Sequence, residues 1–214
     1  MSPNRLSGAG TAPLSGRWRQ LSASARLSTY SIRFSDRASQ PGPQGVAGLH
    51  PGRSRSMNVA VVVGNPKPRS RTLEAATRLA DRLGGGPSTL VIDVVDLGPG
   101  LLGWGDEAVA EAVASVQAAG AVVVASPTYK ASYTGILKLF LDQFATGSLA
   151  GVVAFPLMLG GAWLHSLAPE VFLRPVLVEL GATCPMKGLY LLDSDYHDPP
   201  GLDEWIREAR RFLG

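Results

Sequence analysis

The residues best suited to chemistry lie in three short segments, each at or just after the end of an apolar run. The first, residues 64–72 (G-N-P-K-P-R-S-R-T), brings an amide at Asn65, hydroxyls at Ser70 and Thr72, and three cations ahead of a predicted helix. Free N–H groups at a helix start favour an anion, and hydroxyls with nearby cations suit a phosphomonoester. A plain helix start capped by Ser70 or Thr72 explains the same residues equally well. The segment lacks the glycine spacing of dinucleotide-binding loops and the G-K-[ST] ending of triphosphate-binding loops.

The second segment, residues 126–135, reads S-P-T-Y-K-A-S-Y-T-G. Pro127 keeps the backbone extended where the strand ends. Tyr129 and Tyr133 offer flat amphipathic surfaces to an aromatic ligand, and Lys130 suits a phosphate or an electron-rich ring edge. The alternative is a turn whose tyrosines pack on neighbouring helices.

The third segment, residues 157–162, reads L-M-L-G-G-A and is predicted to be a loop. Gly160 and Gly161 allow a ligand to approach the backbone closely, and they equally allow a tight turn with no ligand. Three such segments at one edge of one sheet predict a site for a flat, phosphorylated ligand.

The elements that must position these segments alternate between strands and helices. The predicted strands are apolar along their whole length rather than at every second residue, which is typical of a parallel sheet covered on both faces. They span residues 58–63, 89–95, 121–125, 151–157 and 189–192. Helical patterns span residues 73–83, 106–119, 135–144, a stretch ending near 180, and 202–213. Right-handed crossovers then give a doubly wound α/β sandwich, whose ligands bind beyond the carboxyl ends of the strands.

Charge divides the chain of 214 residues into two parts. Residues 1–56 hold eight arginines, no lysine and one acid, a net charge of +7, whereas residues 57–214 have a net charge of −4. The first part is rich in Ser, Gly and Pro and is predicted to be a disordered basic extension. It is interpreted as sequence upstream of a true start at Met57, as a transit peptide, or as a basic arm.

Several classes of protein do not fit this composition. A single cysteine, Cys184, excludes a disulfide framework or a cysteine-rich metal site, and no metal site is predicted. No apolar run reaches the roughly 18 residues of a membrane-spanning helix. Because the basic charge lies in residues 1–56, it gives no reason to expect that the part from 57 to 214 binds nucleic acid. Neither a nucleic-acid partner nor a membrane is predicted.

The three segments together resemble the flavodoxin-like NADPH-dependent FMN reductases. The resemblance rests on G-N-P-K-P-R-S-R-T, on S-P-T-Y-K-A-S-Y-T-G-I-L-K-L-F-L-D and on P-L-M-L-G-G, and it covers about residues 58–195. It is nearest to the FMN reductases of two-component, alkanesulfonate-type monooxygenase systems. It implies a flavodoxin-like five-stranded parallel sheet with strand order 2-1-3-4-5.

The resemblance also implies the residues that bind the cofactor. The FMN phosphate would contact Asn65, Lys67, Ser70 and Thr72, although the family usually has Ser and Arg in place of Asn65 and Lys67. Arginine binds phosphate through two parallel hydrogen bonds, which lysine cannot do, so the phosphate affinity is expected to differ. The isoalloxazine ring would lie between two groups of residues, which are Pro127, Thr128, Tyr129 and Lys130 on one side and Gly160 and Gly161 on the other.

The resemblance further implies a function, a partner and an assembly. Hydride would pass from NADPH, or from NADH, to FMN, and no catalytic acid or base is assigned because the cofactor supplies the chemistry. Reduced flavin would serve a partner monooxygenase in the cytoplasm. A homodimer or homotetramer would form through helices at about residues 135–145 and 162–180. At 168–172 the sequence A-P-E-V-F departs from the aromatic π-helix insertion of some members. Two other functions stay open: reduction of a quinone, azo compound or metal oxyanion by bound FMN, and electron transfer as a flavodoxin-type carrier.

Overall fold

Five parallel strands form one sheet in the computed structural model, which describes residues 59–88 and 90–214. The strands are β1 (Val59–Val63), β2 (Val91–Asp93), β3 (Ala121–Pro127), β4 (Val153–Gly160) and β5 (Leu189–Leu192). Their order across the sheet is β2-β1-β3-β4-β5, which confirms the predicted flavodoxin-like topology. The expectations for residues 1–56, and for a start at Met57, lie outside the described residues.

Helices cover both faces of the sheet. They are α1 (Arg71–Gly84), α2 (Glu107–Gln117), α3 (Gly135–Leu141), α4 (Arg174–Glu179) and α5 (Leu202–Ala209). One apolar cluster joins the sheet to α1 and α5, and a second joins it to α2, α3 and α4. This two-sided burial explains why β1 and β3 are apolar at almost every position.

Three strands differ in length from the prediction. β2 ends at Asp93, and 3₁₀ turns follow over Val94–Leu102 with Pro99 inside them. β3 continues to Pro127, which lies opposite Leu159 of β4. β4 continues to Gly160 because it pairs with β3 on one side and β5 on the other. The prediction that the strand ends at Leu157 is therefore wrong, because residues 158–160 continue it and only Gly161 and Ala162 of the predicted loop follow the strand.

The long helix predicted to end near residue 180 is divided into three pieces. A 3₁₀ turn spans Trp163–His165, a π-helical turn spans Pro169–Leu173, and α4 follows directly. A π-helical turn thus forms although the sequence carries no aromatic insertion there. Among the helices of residues 59–88 and 90–214, none is long and apolar enough to cross a bilayer.

Candidate functional site

The loop between β1 and α1, residues 64–70, is fixed by side chains that bond to its backbone. Asn65 is buried; its Nδ2 donates to the Thr72 hydroxyl at 3.1 Å and its Oδ1 accepts the Lys67 amide at 3.0 Å. Ser70 is the N-cap of α1, because its Oγ accepts the Leu73 amide at 3.2 Å. Of the two capping residues that the sequence offered, Ser70 therefore takes the role. Residues 66–69 between these anchors are exposed.

The start of α1 offers donors for an anion. The first turn of a helix leaves its N–H groups without intrahelical acceptors, and here only the Leu73 and Glu74 amides turn back to Ser70. The cations ahead of the helix are not equivalent. Arg71 is engaged with Asp193, since its Nη1 donates to that residue's carbonyl at 3.1 Å. Within the described part of the chain, Lys67 and Arg69 form no ion pair, so they are the cations left for a ligand.

Asp93, which the sequence reasoning missed, closes the other side of this loop. The carboxylate lies at the end of β2, is 9% exposed, and accepts the Arg69 amide on Oδ2 at 3.2 Å. Its Oδ1 is buried without a hydrogen-bond partner among the described residues. Burial raises the pKa of Asp93 and the nearby Asp96 carboxylate adds to that shift, whereas the Arg69 amide and, less strongly, the Val95 amide oppose it. In the predicted strand 89–95 two valines follow Asp93, so the sequence did not show that this carboxylate ends the strand at the ligand-binding edge.

The loop between β3 and α3, residues 128–134, forms a tight hairpin. Tyr129 and Ser132 exchange backbone hydrogen bonds of 2.8 and 3.1 Å. The two residues between them, Lys130 and Ala131, have φ of 51° and 67°, in the left-handed region that favours glycine. Both backbone conformations are costly for non-glycine residues, and such strain occurs most often at binding sites. The Lys130 side chain is exposed at this tip.

Thr134, also missed from the sequence, joins this second loop to the first. Its hydroxyl donates to the Gly64 carbonyl at 2.5 Å and accepts the Leu137 amide at 3.3 Å as the N-cap of α3. A Cβ on Gly64 would overlap the Leu137 Cβ and lie 2.7 Å from its Cα. Gly64 therefore lets α3 pack directly against the end of β1.

The third segment meets the second across the sheet. The Thr128 amide donates to the Leu159 carbonyl at 2.6 Å, which continues the β3–β4 pairing past Pro127. A Cβ on Gly160 would overlap the Tyr190 hydroxyl oxygen and lie 3.1 Å from the Thr128 Oγ1. The missing side chain of Gly160 thus makes room for Tyr190, a packing reason that the glycine pattern did not reveal. Gly161 has open space at the corresponding position.

Tyr190 also fixes the segment that follows β4. Its hydroxyl donates to the Ala162 carbonyl at 2.8 Å, and its ring lies 5.9 Å from that of Trp163. The Thr128 Oγ1 nearby is buried and has no hydrogen-bond partner in the part of the chain described. Tyr190 and Thr128 therefore shape the edge beside Gly160 and leave one polar atom unpaired there.

The predicted site residues fall on three neighbouring strand ends. Asn65, Lys67, Ser70 and Thr72 follow β1, the end of β3 carries Pro127, Thr128, Tyr129 and Lys130, and Gly160 and Gly161 end β4. Because β1, β3 and β4 are consecutive in the sheet, the structure brings the three groups to one edge. Thr72 is only 2% exposed and bonded to Asn65, so both lie beneath the loop surface. Their contact with a ligand stays a prediction, as it does for the other residues.

Cys184 lies away from these loops and is chemically quiet. Burial raises the pKa of its thiol to about 11, against the opposing charge of Arg174. The thiolate that would react or bind a metal is therefore scarce at neutral pH.

A parallel sheet in this order, with ligand-suited loops at its carboxyl edge, defines a flavodoxin-like α/β protein. A profile of the NADPH-dependent FMN reductases matches residues 57–197. The chain belongs to the NADPH-dependent FMN reductase family.

Similar proteins carry related names. The FMN reductase (NADPH) of Escherichia coli K12 is 42% identical over 88 residues, covering 40% of this chain and 46% of that protein. For the FMN reductase (NADPH) of Pseudomonas putida KT2440 the matched share is 40%, so the chain spans less than half the length of these two relatives. A Pseudomonas putida protein named NADH-dependent FMN reductase SfnF is 30% identical over 142 residues, covering 63% of this chain and 76% of that protein.

A solved structure agrees with this assignment. The apo form of the NADH:FMN oxidoreductase EMOB superimposes with a TM-score of 0.63 at 30% identity. The alignment covers 73% of this chain and 88% of that one.

Proposed function

We propose that this protein is an NAD(P)H-dependent FMN reductase that passes hydride from NADPH to FMN, with NADH as the alternative donor. The observation that carries the proposal is the joining of three loops at one sheet edge. The start of α1, whose N–H groups suit an anion, follows β1. The exposed Tyr129 and the hairpin at Lys130 and Ala131 follow the neighbouring strand β3. Neighbouring strands lie about 4.8 Å apart, so the three consecutive ends of β1, β3 and β4 span about 10 Å of this edge.

The donor set fits the phosphorylated end of FMN. The first-turn N–H groups of α1, the Ser70 hydroxyl and the Lys67 ammonium are all donors, as a phosphate requires. Ser70 can donate its hydroxyl hydrogen while its oxygen still accepts the Leu73 amide. Asn65 and Thr72 support this end from below by holding the loop.

The loop between β3 and α3 fits the flavin ring. Tyr129 is 52% exposed and offers an aromatic surface at the edge. The hairpin fixes the backbone beside it, and Lys130 at its tip stabilises negative charge on the ring. When bound, FMN accepts the hydride and supplies the redox chemistry, so the protein's part is to bind, orient and exclude water.

Self-association is supported by an apolar strip along residues 163–178. Its exposed members are Trp163, Leu164, Leu167, Val171, Phe172 and Val178, and Leu164 alone is 86% exposed. A row of this kind is typical of a protein interface. We propose a homodimer or homotetramer formed through this strip. Analytical ultracentrifugation should show an oligomer that dissociates in Phe172→Asp, whereas Phe212→Asp on another surface leaves it unchanged.

One assay tests the activity and separates it from the two other functions. NADPH oxidation by the purified full chain is measured without flavin, with added FMN, and with a quinone. Turnover that requires free FMN supports the proposal and the supply of reduced flavin to a flavin-dependent monooxygenase. Turnover with quinone and bound flavin instead indicates a quinone-type reductase. No oxidation of NADPH or NADH under any condition contradicts both enzymatic functions and favours a carrier.

The phosphate site has its own test. Ser70→Ala combined with Lys67→Ala should weaken FMN binding by about 2–4 kcal/mol, because two charge-assisted contacts are lost. Flavin fluorescence titration measures the change, and Arg78→Ala, on the same helix beyond the first turn, is the matched control. FMN affinity equal to that of the unaltered chain would place the phosphate elsewhere.

A further inference from the structure

We propose that Asp93 is a positioning residue that holds the loop between β1 and α1 in its phosphate-binding shape, and that it acts through Arg69. The inference rests on the proposed function, because it names what sets the affinity for the phosphorylated end of the flavin. The carboxylate itself is placed to touch the loop backbone rather than the ligand.

The first observation is the conformation of Arg69. Its φ is 50°, in the left-handed region that is unfavourable for a non-glycine residue. Arg69 immediately precedes Ser70, the N-cap of α1, so its conformation sets the direction in which the chain enters the helix. A loop that relaxed at Arg69 would displace Ser70 and the first-turn amides together.

The second observation is the bond that opposes this relaxation. The Arg69 amide donates to Asp93 Oδ2 at 3.2 Å. Asp93 lies at the end of β2 and is 24 residues away from Arg69 in sequence. A carboxylate is a stronger acceptor for an amide than a neutral group is. The bond therefore ties the residue of this loop that has a positive φ to the end of β2.

The third observation is that a carboxylate at position 93 is unfavourable for the stability of the fold. It is 9% exposed, and its Oδ1 is buried with no hydrogen-bond partner among the described residues. A buried unpaired oxygen is unfavourable, so an apolar side chain would serve packing better. The position makes physical sense if the site requires a side-chain acceptor for the Arg69 amide.

The test compares FMN with riboflavin, which lacks the phosphate, in the full chain. Asp93→Ala should weaken FMN binding about tenfold, as expected for loss of a bond to a charged group, and change riboflavin binding less than about twofold. Asp93→Asn should bind FMN within about threefold of the unaltered chain, because its amide oxygen still accepts. Asp96→Asn, which removes an exposed carboxylate nearby, is the matched control and should leave both affinities unchanged.

A second background separates this role from a general structural one. Glycine adopts a positive φ without strain, so Arg69→Gly should remove the need for the tie. In that background Asp93→Ala should cost less than about threefold in FMN affinity, although Arg69→Gly itself removes a cation. A tenfold loss that persists in the Arg69→Gly background, an equal loss for riboflavin, or unchanged FMN affinity in Asp93→Ala would each overturn the inference.

The same titration distinguishes failure of the inference from failure of the proposed function. If the unaltered chain prefers FMN to riboflavin but Asp93→Ala does not alter that preference, the inference alone is wrong. If the unaltered chain binds both flavins equally, the phosphate site is wrong and the inference falls with it.

Discussion

The loop after β1 and the segment after β4 lie at the same edge of the sheet, but they are held in opposite ways. Residues 64–70 are tied down by polar side chains, among them the buried Asn65 and Asp93, that bond to the loop backbone. After β4 one side chain, Tyr190, bonds to the backbone at Ala162 and packs beside an exposed tryptophan. The first region is fixed for a charged ligand, whereas the second is shaped by aromatic packing.

The difference shows how each region tolerates change. A polar loop fails when an acceptor or donor is removed, because the partner group stays buried and unpaired. A packed segment fails when volume is added, because its neighbours have nowhere to move. Glycines mark both regions, yet Gly64 meets a helix backbone and Gly160 meets the far end of one side chain.

The largest effect is expected at Gly64. Gly64→Ala should lower the free energy of unfolding by about 3 kcal/mol, because the new Cβ would overlap the Cα and Cβ of Leu137. Urea unfolding followed by circular dichroism measures the loss. Gly161→Ala, in the other region and in open space, is the control and should change stability by less than about 0.5 kcal/mol. Equal effects at the two glycines would contradict the packing of α3 against β1.

A smaller effect is expected at Gly160, and it should depend on one partner. Gly160→Ala should cost about 2 kcal/mol, because the added methyl meets the Tyr190 hydroxyl and ring. In a Tyr190→Leu background the same change should cost less than about 1 kcal/mol. A double-mutant cycle from urea unfolding measures this coupling, and strict additivity would show that the tyrosine is not what fills the space.

The same contrast explains what the sequence could predict. The layer arrangement and the polar loop were predictable, because continuous apolar runs and the N-P-K-P-R-S pattern are local signals, whereas the strand order followed from the family resemblance. Asp93 and Tyr190 were not, because each acts on a loop far along the chain and only the folded sheet brings them together. The end of β4 was misplaced because two consecutive glycines are typical of a turn, and the local sequence does not show that Gly160 makes room for Tyr190. The ligand contacts of the ten predicted site residues stay predictions.

Loss of the helix cap at Ser70 should have a modest effect that is confined to the polar loop. Ser70→Ala should lower the free energy of unfolding by about 1 kcal/mol, since the Leu73 amide loses its acceptor. Ser70→Asp keeps an acceptor and should retain most of the stability. Thermal unfolding without flavin measures both variants. A loss as large in Ser70→Asp as in Ser70→Ala would mean that the hydroxyl does not act as a cap.

The smallest effect expected is a pH dependence of stability that arises from Asp93 beside the polar loop and is absent from the segment after β4. Burial raises the pKa of Asp93 above its ordinary value of 3.8 in the folded chain. The folded chain therefore binds the proton of the Asp93 carboxyl group more tightly than the unfolded chain does. The free energy of unfolding that this proton contributes is fully present below pH 3.8 and is lost as the pH rises through the pKa of Asp93 in the folded chain. Asparagine cannot titrate, so the stability of the unaltered chain relative to Asp93→Asn should fall as pH rises from about 4 to about 7.

Urea unfolding of both proteins across that range measures this difference. Asp96→Asn removes a charge that raises the Asp93 pKa, so the fall should shrink and move to lower pH. Tyr190→Phe, in the packed region, introduces no group that titrates there and should show no such dependence relative to the unaltered chain. A difference between Asp93→Asn and the unaltered chain that is constant with pH, or that grows in favour of the unaltered chain, would contradict a buried, destabilised carboxylate. Burial of Asp93 would then make no contribution to the pH dependence of stability, and only their packing would distinguish the polar loop from the segment after β4.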